Sequence, residues 1–250
     1  MFGKVYNKII SIEREYNLLS MSINDVYFWE LIRFDVFYYI LKEKKIFGES
    51  HTKRKMDLKS KLLQLFKSFP NYLLKNPLLT SRKKIIFWGH PRRKMNADGF
   101  FWDLYCDPVI DNINDSYVLV EGYYNRGHQK PSKTENIKYI DFIDLMAKIK
   151  SYFVKVRINN EDLKIIRTIE DALLHEFGIP VDIASMVKSN LKKRKVYLGL
   201  FKILLKKVKP DILFLVVSYG KEILIEACRS LGVKTIELQH GVLTNYHLGY

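Results

Sequence analysis

The order of apolar and polar residues predicts strands and helices in alternation over most of the chain. Short apolar runs, which are typical of strands, occur at residues 85–88, 117–120, 137–140, 212–217 and 234–239. Apolar residues recur at helical spacing at residues 103–113, 142–151, 161–177, 180–208 and 221–231. Because this alternation favours a parallel sheet, we expect an α/β fold with a Rossmann-like, mostly parallel sheet flanked by helices.

The amino-terminal residues predict a helical extension to that fold. A polar helix is expected at residues 4–18. Ser22 and Asp25 resemble a capping pair that starts a second helix, which would run to about Lys45. The second helix is apolar on nearly all sides, so we expect it to be buried within the fold.

Residues 42–84 are densely basic and carry apolar residues at roughly helical spacing. This stretch either lies on an anionic bilayer as an amphipathic helix or covers the core as a solvated helix. We therefore place a helical, basic amphipathic extension at residues 1–80 and a Rossmann-like domain at residues 81–250.

A strand, a turn, a helix and a second strand at residues 211–239 form the clearest unit of the pattern. A right-handed crossover would make the two strands parallel, with their carboxyl ends at one edge of the sheet. Ligands of open α/β sheets bind at that edge. The residues that follow each strand are therefore the first candidates for a functional site.

Polar residues follow the last strand. Alternation places Glu237 and Gln239 on one face of a strand expected to be buried, and His240 and Gly241 come next. An imidazole can act as a general base toward a sugar hydroxyl, and glycine lets the backbone approach a ligand closely. We expect His240 and Glu237 to be catalytic and Gln239 and Gly241 to contact substrate. His247 lies nearby, but no further ligand has the spacing of a metal site, so no metal is predicted.

The loop after the first strand holds His90, Arg92, Arg93 and Asp98. Arginines there can bind phosphate or carboxylate, and Asp98 can accept hydrogen bonds from sugar hydroxyls. The alternative is a solvated basic loop without a ligand. We retain all four residues as candidate substrate contacts.

The turn Ser218-Tyr219-Gly220 precedes a predicted helix. Free backbone N–H groups and the helix dipole favour an anion at such a position, so the turn is a third candidate substrate contact. It lacks a glycine-rich dinucleotide-binding pattern. A simple tight turn is the alternative interpretation.

A formal net charge of +15 attracts anionic partners, which include nucleic acid, anionic lipid and phosphorylated substrates. The two cysteines, Cys106 and Cys228, are far apart, so neither a disulfide framework nor a zinc site is indicated. Charged residues interrupt the apolar stretches at residues 1–19 and 26–41, which excludes a signal peptide and a transmembrane helix there. We expect a cytoplasmic protein that is peripheral on the inner face of the cell membrane.

The motifs Pro210-Asp211-Ile212, Ser218-Tyr219-Gly220 and Glu237-Leu238-Gln239-His240-Gly241, with His247-x-Gly249-Tyr250, resemble those of bacterial capsule and surface-polysaccharide glycosyltransferases. The resemblance is best over residues 208–250 and weaker over residues 84–122. Those enzymes have two Rossmann-like domains, the architecture called GT-B. The resemblance implies that a sugar passes from a nucleotide-sugar donor to a surface polysaccharide or a lipid-linked glycan, without a cofactor. It also implies that His247 and Tyr250 lie in the substrate site.

The resemblance implies further that the chain is the amino-terminal, acceptor-side half of such an enzyme. The carboxyl-terminal domain that holds the nucleotide-sugar would then be missing, which leaves open whether the isolated chain is active. The Gln239-His240-Gly241 match is also similar to glycerophosphotransferases of teichoic-acid synthesis, so a polyol-phosphate transferase is one alternative. A basic nucleic-acid-binding module and a noncatalytic membrane-associated module are the others, although no specific nucleic-acid motif is present.

Overall fold

A computed structural model of the chain describes residues 2–46, 69–124, 127–241 and 248. The helices of this part with both ends defined are α1 (Phe2–Glu15), α2 (Phe28–Glu43), α3 (Cys106–Ile110), α4 (Asp141–Phe153), α5 (Asn160–Phe177), α6 (Ile183–Val208) and α7 (Glu222–Arg229). Residues 69–74 are also helical. The strands are β1 (Ile85–Trp88), β2 (Lys94–Met95), β3 (Phe101–Trp102), β4 (Tyr117–Glu121), β5 (Ile137–Tyr139), β6 (Ile212–Val216) and β7 (Lys234–Leu238). Short 3-10 helices occur at Leu18–Ser20 and Pro77–Leu79.

The chain divides into two compact units. The helical unit comprises Met1–Arg54, Phe153–Lys195 and Leu243–Tyr250, and the sheet unit comprises Lys55–Tyr152 and Val196–Val242. These units do not follow the boundary expected near residue 80. The reason is that α5 shares one apolar core with α1 and α2, so residues distant in the sequence fold together.

The core of the helical unit is built from apolar faces of its helices. In α1, Val5, Ile9 and Ile12 recur at helical spacing and are buried. Trp29 of α2 is also fully buried, and its indole Nε1–H donates to Glu13 Oε2 at 2.7 Å. The buried second helix is therefore confirmed.

The start of α2 differs from the sequence expectation. Tyr27 precedes the helix and makes no side-chain capping bond. Asp25 instead has a positive φ of 60° in a turn that is closed by backbone hydrogen bonds between Ile23 and Val26. Aspartate tolerates the left-handed region better than most residues. Asp25 therefore lies in a turn, although the sequence pattern predicted a helix cap there.

The sheet unit contains a five-stranded sheet with the order β5-β4-β1-β6-β7, and every neighbouring pair in it is parallel. The α/β fold class predicted from the sequence is therefore confirmed, including the parallel pairing of the last two strands. All four residues of β1 are buried at the centre of the sheet. The Phe87 ring of β1 stacks on Phe214 of β6 with ring centroids 4.9 Å apart.

The strand order reverses direction at β1. The chain runs from β1 outward to β4 and β5, returns to β6 beside β1, and then continues to β7 on the other side. A crevice forms outside the carboxyl ends of the strands where the order reverses, and ligands of such sheets bind there. The loops after β1 and β6 flank this point.

A small antiparallel pair, β2 with β3, follows the loop after β1. Gly99 in its turn has a φ of 80°, which favours glycine. Among the helices that the structure describes, none combines the length and the apolar character needed to cross a bilayer.

Candidate functional site

Four rings meet at the carboxyl edge of the sheet, and we call them the crevice cluster: His90, Tyr105, Tyr219 and His240. The imidazoles of His90 and His240 are nearly parallel, with ring centroids 6.0 Å apart. The His240 ring lies 6.0 Å from the Tyr105 ring and 6.4 Å from the Tyr219 ring. His90 follows β1, Tyr219 follows β6 and His240 follows β7, so the topology of the sheet brings three of these residues together.

Asp103 holds the loop that carries His90. Its side chain is fully buried, and Oδ2 accepts a hydrogen bond from the backbone N–H of His90 at 3.0 Å. Oδ1 accepts from the N–H groups of Tyr105 at 2.9 Å and Cys106 at 3.0 Å. One carboxylate thus fixes the backbone of two members of the crevice cluster.

The sequence interpretation did not assign this role to Asp103. A signal for it is present, because an aspartate that precedes a helix commonly accepts N–H bonds from residues two and three positions later. Tyr105 and Cys106 stand at those positions.

Gly89 leaves room for the Asp103 carboxylate. A Cβ atom at this position would lie 2.8 Å from Asp103 Oδ2 and 2.8 Å from Leu119 Cδ1. Both distances are shorter than any normal contact, so the packing beneath the crevice cluster requires glycine at position 89.

His90 is prepared to act as a hydrogen-bond donor. Burial lowers the pKa of His90 below its ordinary value, which favours the neutral ring near neutral pH. The Arg92 backbone N–H donates to His90 Nδ1 at 3.2 Å. Since Nδ1 accepts this bond, the neutral ring carries its proton on Nε2.

The backbone of His240 is held by the crevice cluster itself. The Tyr105 hydroxyl donates to the His240 carbonyl oxygen at 3.2 Å. The His240 side chain is only partly buried, so a ligand in the crevice can reach it. Gln239 is exposed, and its side-chain amide donates to the Gly241 carbonyl at 2.7 Å, which closes the turn that follows His240.

Glu237 is exposed rather than buried, because β7 lies at the edge of the sheet. Its Oε1 accepts a hydrogen bond from the Ser218 backbone N–H at 3.1 Å. The Gly220 N–H donates to Glu222 Oε1 at 2.6 Å. Two N–H groups of the turn expected to bind an anion therefore already bind the protein's own carboxylates, and an anionic ligand would have to displace them.

The two arginines after β1 have different environments. Arg92 is exposed. The Arg93 side chain is fully buried, and its Nε–H donates to Glu121 Oε2 at 2.8 Å. Its Nη1 also donates to the Ser132 hydroxyl at 3.0 Å. The Arg93 guanidinium is therefore held inside the protein by Glu121 and Ser132, and its contact with substrate stays a prediction.

Asp98 lies in the turn between β2 and β3 and is exposed. The side-chain amide of Asn96 donates to it at 3.4 Å. The sequence-predicted residues His247 and Tyr250 lie outside the described residues.

A buried polar network beside the crevice cluster was not expected from the sequence. The His128 ring stacks on Tyr139 with ring centroids 3.4 Å apart, and its Nε2 lies 3.1 Å from both carboxylate oxygens of Asp141. Its Nδ1 lies 3.7 Å from Glu121 Oε1, and Glu121 in turn binds Arg93. This network ties the ends of β4 and β5 to the loop after β1.

The protonation of His128 is set by its carboxylate neighbours. Burial by itself lowers the pKa of His128, but the hydrogen bond to Asp141 and the proximity of Glu121 outweigh it, and the net result is a raised pKa. Among the described residues, no group of three or more histidine, cysteine, aspartate or glutamate side chains is arranged to hold a metal ion.

Comparison of the chain with protein-family models, with curated proteins and with solved structures finds no match.

Proposed function

We propose that the sheet unit is the acceptor-side half of a glycosyltransferase, which transfers a sugar from a nucleotide-sugar to a surface polysaccharide or a lipid-linked glycan. The observation that carries this proposal is the crevice cluster at the reversal point of a parallel sheet. It joins two imidazoles and two tyrosines at the edge where α/β folds bind ligands. The resemblance of residues 208–250 to polysaccharide glycosyltransferases supports the same function.

The crevice suits a neutral, hydroxyl-bearing ligand. Aromatic rings pack well against the C–H faces of sugar rings, and polar groups around such a surface orient the ligand. The carboxylates of Glu222 and Glu237 stand at the adjacent turn. They accept hydrogen bonds from hydroxyls and repel phosphate. The acceptor sugar is therefore the ligand that this half of the enzyme favours.

The two histidines would have different roles. His240 acts as the general base that removes a proton from the acceptor hydroxyl. His90 is held neutral with its proton on Nε2, so it donates a hydrogen bond to a ligand oxygen. Arg92 remains exposed and supplies positive charge for a departing phosphate.

In this scheme Glu237 positions the neighbouring turn and takes no part in the chemical step. Its hydrogen bond to Ser218 connects β7 to the turn that carries Tyr219. Replacing Glu237 with glutamine keeps an acceptor for the Ser218 N–H, so we expect a smaller loss of turnover than replacing it with alanine.

Sugar transfer by the full chain tests the proposal. The assay uses a panel of nucleotide-sugars with polyprenol-phosphate-linked and free oligosaccharide acceptors, with anionic vesicles present. We expect His240→Gln to lower turnover by about 10²–10⁴-fold, as removal of a general base does. His175→Gln changes an exposed histidine of α5 and serves as the matched control. Turnover of His240→Gln within a factor of two of the parent would remove His240 from the mechanism.

The transfer assay, together with measurements of nucleic-acid binding and of vesicle flotation, separates the alternative functions. CDP-glycerol belongs in the donor panel, because transfer from it alone would favour a polyol-phosphate transferase. Tight, salt-sensitive binding to RNA or duplex DNA would favour a nucleic-acid-binding module. Flotation with anionic vesicles, but no transfer or donor hydrolysis, would favour a noncatalytic membrane-associated module.

A further inference from the structure

A pocket lies in the sheet unit at the amino ends of β6 and β7, with a cavity volume of about 620 Å³. Asp211 leads into β6, Lys234 begins β7, and Gly232 lies in the turn that precedes β7. The crevice cluster lies at the opposite ends of these strands. Five residues of strand span about 16 Å, so this pocket is separate from the site of the proposed transfer reaction.

The pocket carries an excess of positive charge. Arg82, Lys206, Lys209 and Lys234 line it together with a single carboxylate, Asp211. None of the four cations forms an ion pair with another residue in the described part of the chain. The carbonyl end of α6 adds roughly half a negative charge, which leaves the pocket strongly positive.

Lys209 occupies a backbone conformation that lysine rarely adopts. Its φ is 52°, and its N–H caps α6 by donating to the Leu205 carbonyl at 2.8 Å. Glycine is the usual residue at this position of a helix end, because a side chain strains the left-handed backbone. A strained cationic residue in a pocket is an observation that supports a binding role.

The geometry points to a binding site for a phosphate-bearing ligand in this pocket, which we call the basic pocket. A phosphate or diphosphate group would offset the excess positive charge of the four cations that line the pocket, which Asp211 balances only in part. Lysine and arginine both donate charge-assisted hydrogen bonds to phosphate oxygens. Such a ligand is either a free phosphorylated compound or the headgroup of an anionic lipid.

Titration calorimetry at low salt, which measures the binding of inorganic pyrophosphate to the full chain, tests this site. In the double variant Arg82→Gln with Lys234→Gln, we expect about tenfold weaker binding, because two charge-assisted contacts are lost. The matched control is Lys148→Gln with Lys150→Gln, which removes the same charge from exposed positions on α4 of the sheet unit. A parallel flotation experiment uses vesicles of phosphatidylglycerol, with phosphatidylcholine vesicles for comparison.

Each outcome decides the proposal. Selective loss of pyrophosphate binding in the pocket variant supports a free phosphorylated ligand, and selective loss of phosphatidylglycerol binding supports a lipid headgroup. Equal losses in the pocket and control variants would show a general effect of net charge and overturn the site. Absence of binding to both probes in the parent chain would also overturn it.

Lys209→Gly gives an independent readout, because it relieves the backbone strain while it removes a cation. We expect this variant to melt at a higher temperature than the parent and to bind the probe less tightly. Tighter or unchanged binding would exclude Lys209 from the site.

Discussion

The His90 and His240 rings lie nearly parallel, with centroids 6.0 Å apart and an interplanar angle of 22°. One ring follows the central strand β1 and the other follows the edge strand β7, so β6 separates the strands that carry them. The pairing therefore depends on the loops beyond the strands, and in particular on the bonds made by Asp103 and Tyr105. Changes in these loops provide direct tests of the crevice cluster.

Gly89→Ala should destabilise the sheet unit. The added methyl group would meet Asp103 Oδ2 and Leu119 Cδ1 at 2.8 Å. Overpacking of this kind costs about 1–3 kcal/mol. Urea unfolding measures the loss, and NMR of the His90 imidazole reports whether its loop has moved.

Gly199→Ala is the control for that substitution. Gly199 is exposed in the interior of α6, and a Cβ there meets no atom within 4 Å. Alanine should stabilise the helix by about 1 kcal/mol. If Gly89→Ala and Gly199→Ala both raised or both lowered the free energy of unfolding, steric crowding would not explain the effect of Gly89→Ala.

Tyr105→Phe should remove the hydrogen bond to the His240 carbonyl and leave the ring contacts in place. A neutral hydrogen bond contributes about 1 kcal/mol, so we expect a small loss of stability. If His240 is the base of the proposed reaction, a misplaced imidazole should lower turnover about tenfold, with little change in acceptor affinity. Unchanged turnover would show that this bond does not position the histidine.

His128 should make stability depend on pH. Its pKa in the folded protein is raised above the ordinary value of 6.5, although burial alone acts in the opposite direction. The protonated ring therefore stabilises the fold fully below about pH 6.5. This contribution is lost as the pH rises through the higher folded pKa.

Urea unfolding between pH 5.5 and 8.5 measures that contribution as the difference between the parent and His128→Asn. The difference should shrink as the pH rises. The lowered pKa of His90 acts with the opposite sign, so only the comparison with the variant isolates His128. His175→Gln, which changes an exposed histidine of α5, is measured alongside for comparison.

Lys209→Gly should stabilise the chain by about 1 kcal/mol, because glycine adopts a φ of 52° without strain. Lys195→Gly removes the same side chain from an exposed position inside α6 and should destabilise it by a similar amount. Chemical denaturation of the two variants at one pH gives the comparison. A loss of stability in Lys209→Gly would mean that its side chain makes compensating contacts.

Much of the sheet could be predicted from the sequence, because interior parallel strands are continuous apolar runs. The expected strand at residues 212–217 corresponds to β6, and the one at residues 85–88 to β1. The edge position of β7 was not predictable from its own residues. Ile236 is exposed there, although it alternates with polar residues as a half-buried strand does.

The candidate site was predicted in part. The positions of His90, Tyr219 and His240 follow from the ends of parallel strands, which meet at one edge. The burial of Arg93 could not be inferred, because it depends on Glu121 at the end of β4 and on Ser132 in a later loop. Pairings between distant loops leave no periodic signal in a single sequence.

The lack of space at Gly89 joins two positions that are not neighbours in the chain. The same atoms that exclude a side chain at position 89 include the carboxylate that holds His90 and Tyr105. A larger residue at position 89 would have to displace this carboxylate as well as the Leu119 side chain, and the order of the loop depends on the carboxylate. Gly89 and Asp103 should therefore occur together in homologous proteins. The pair can help to identify homologues in which most other residues differ.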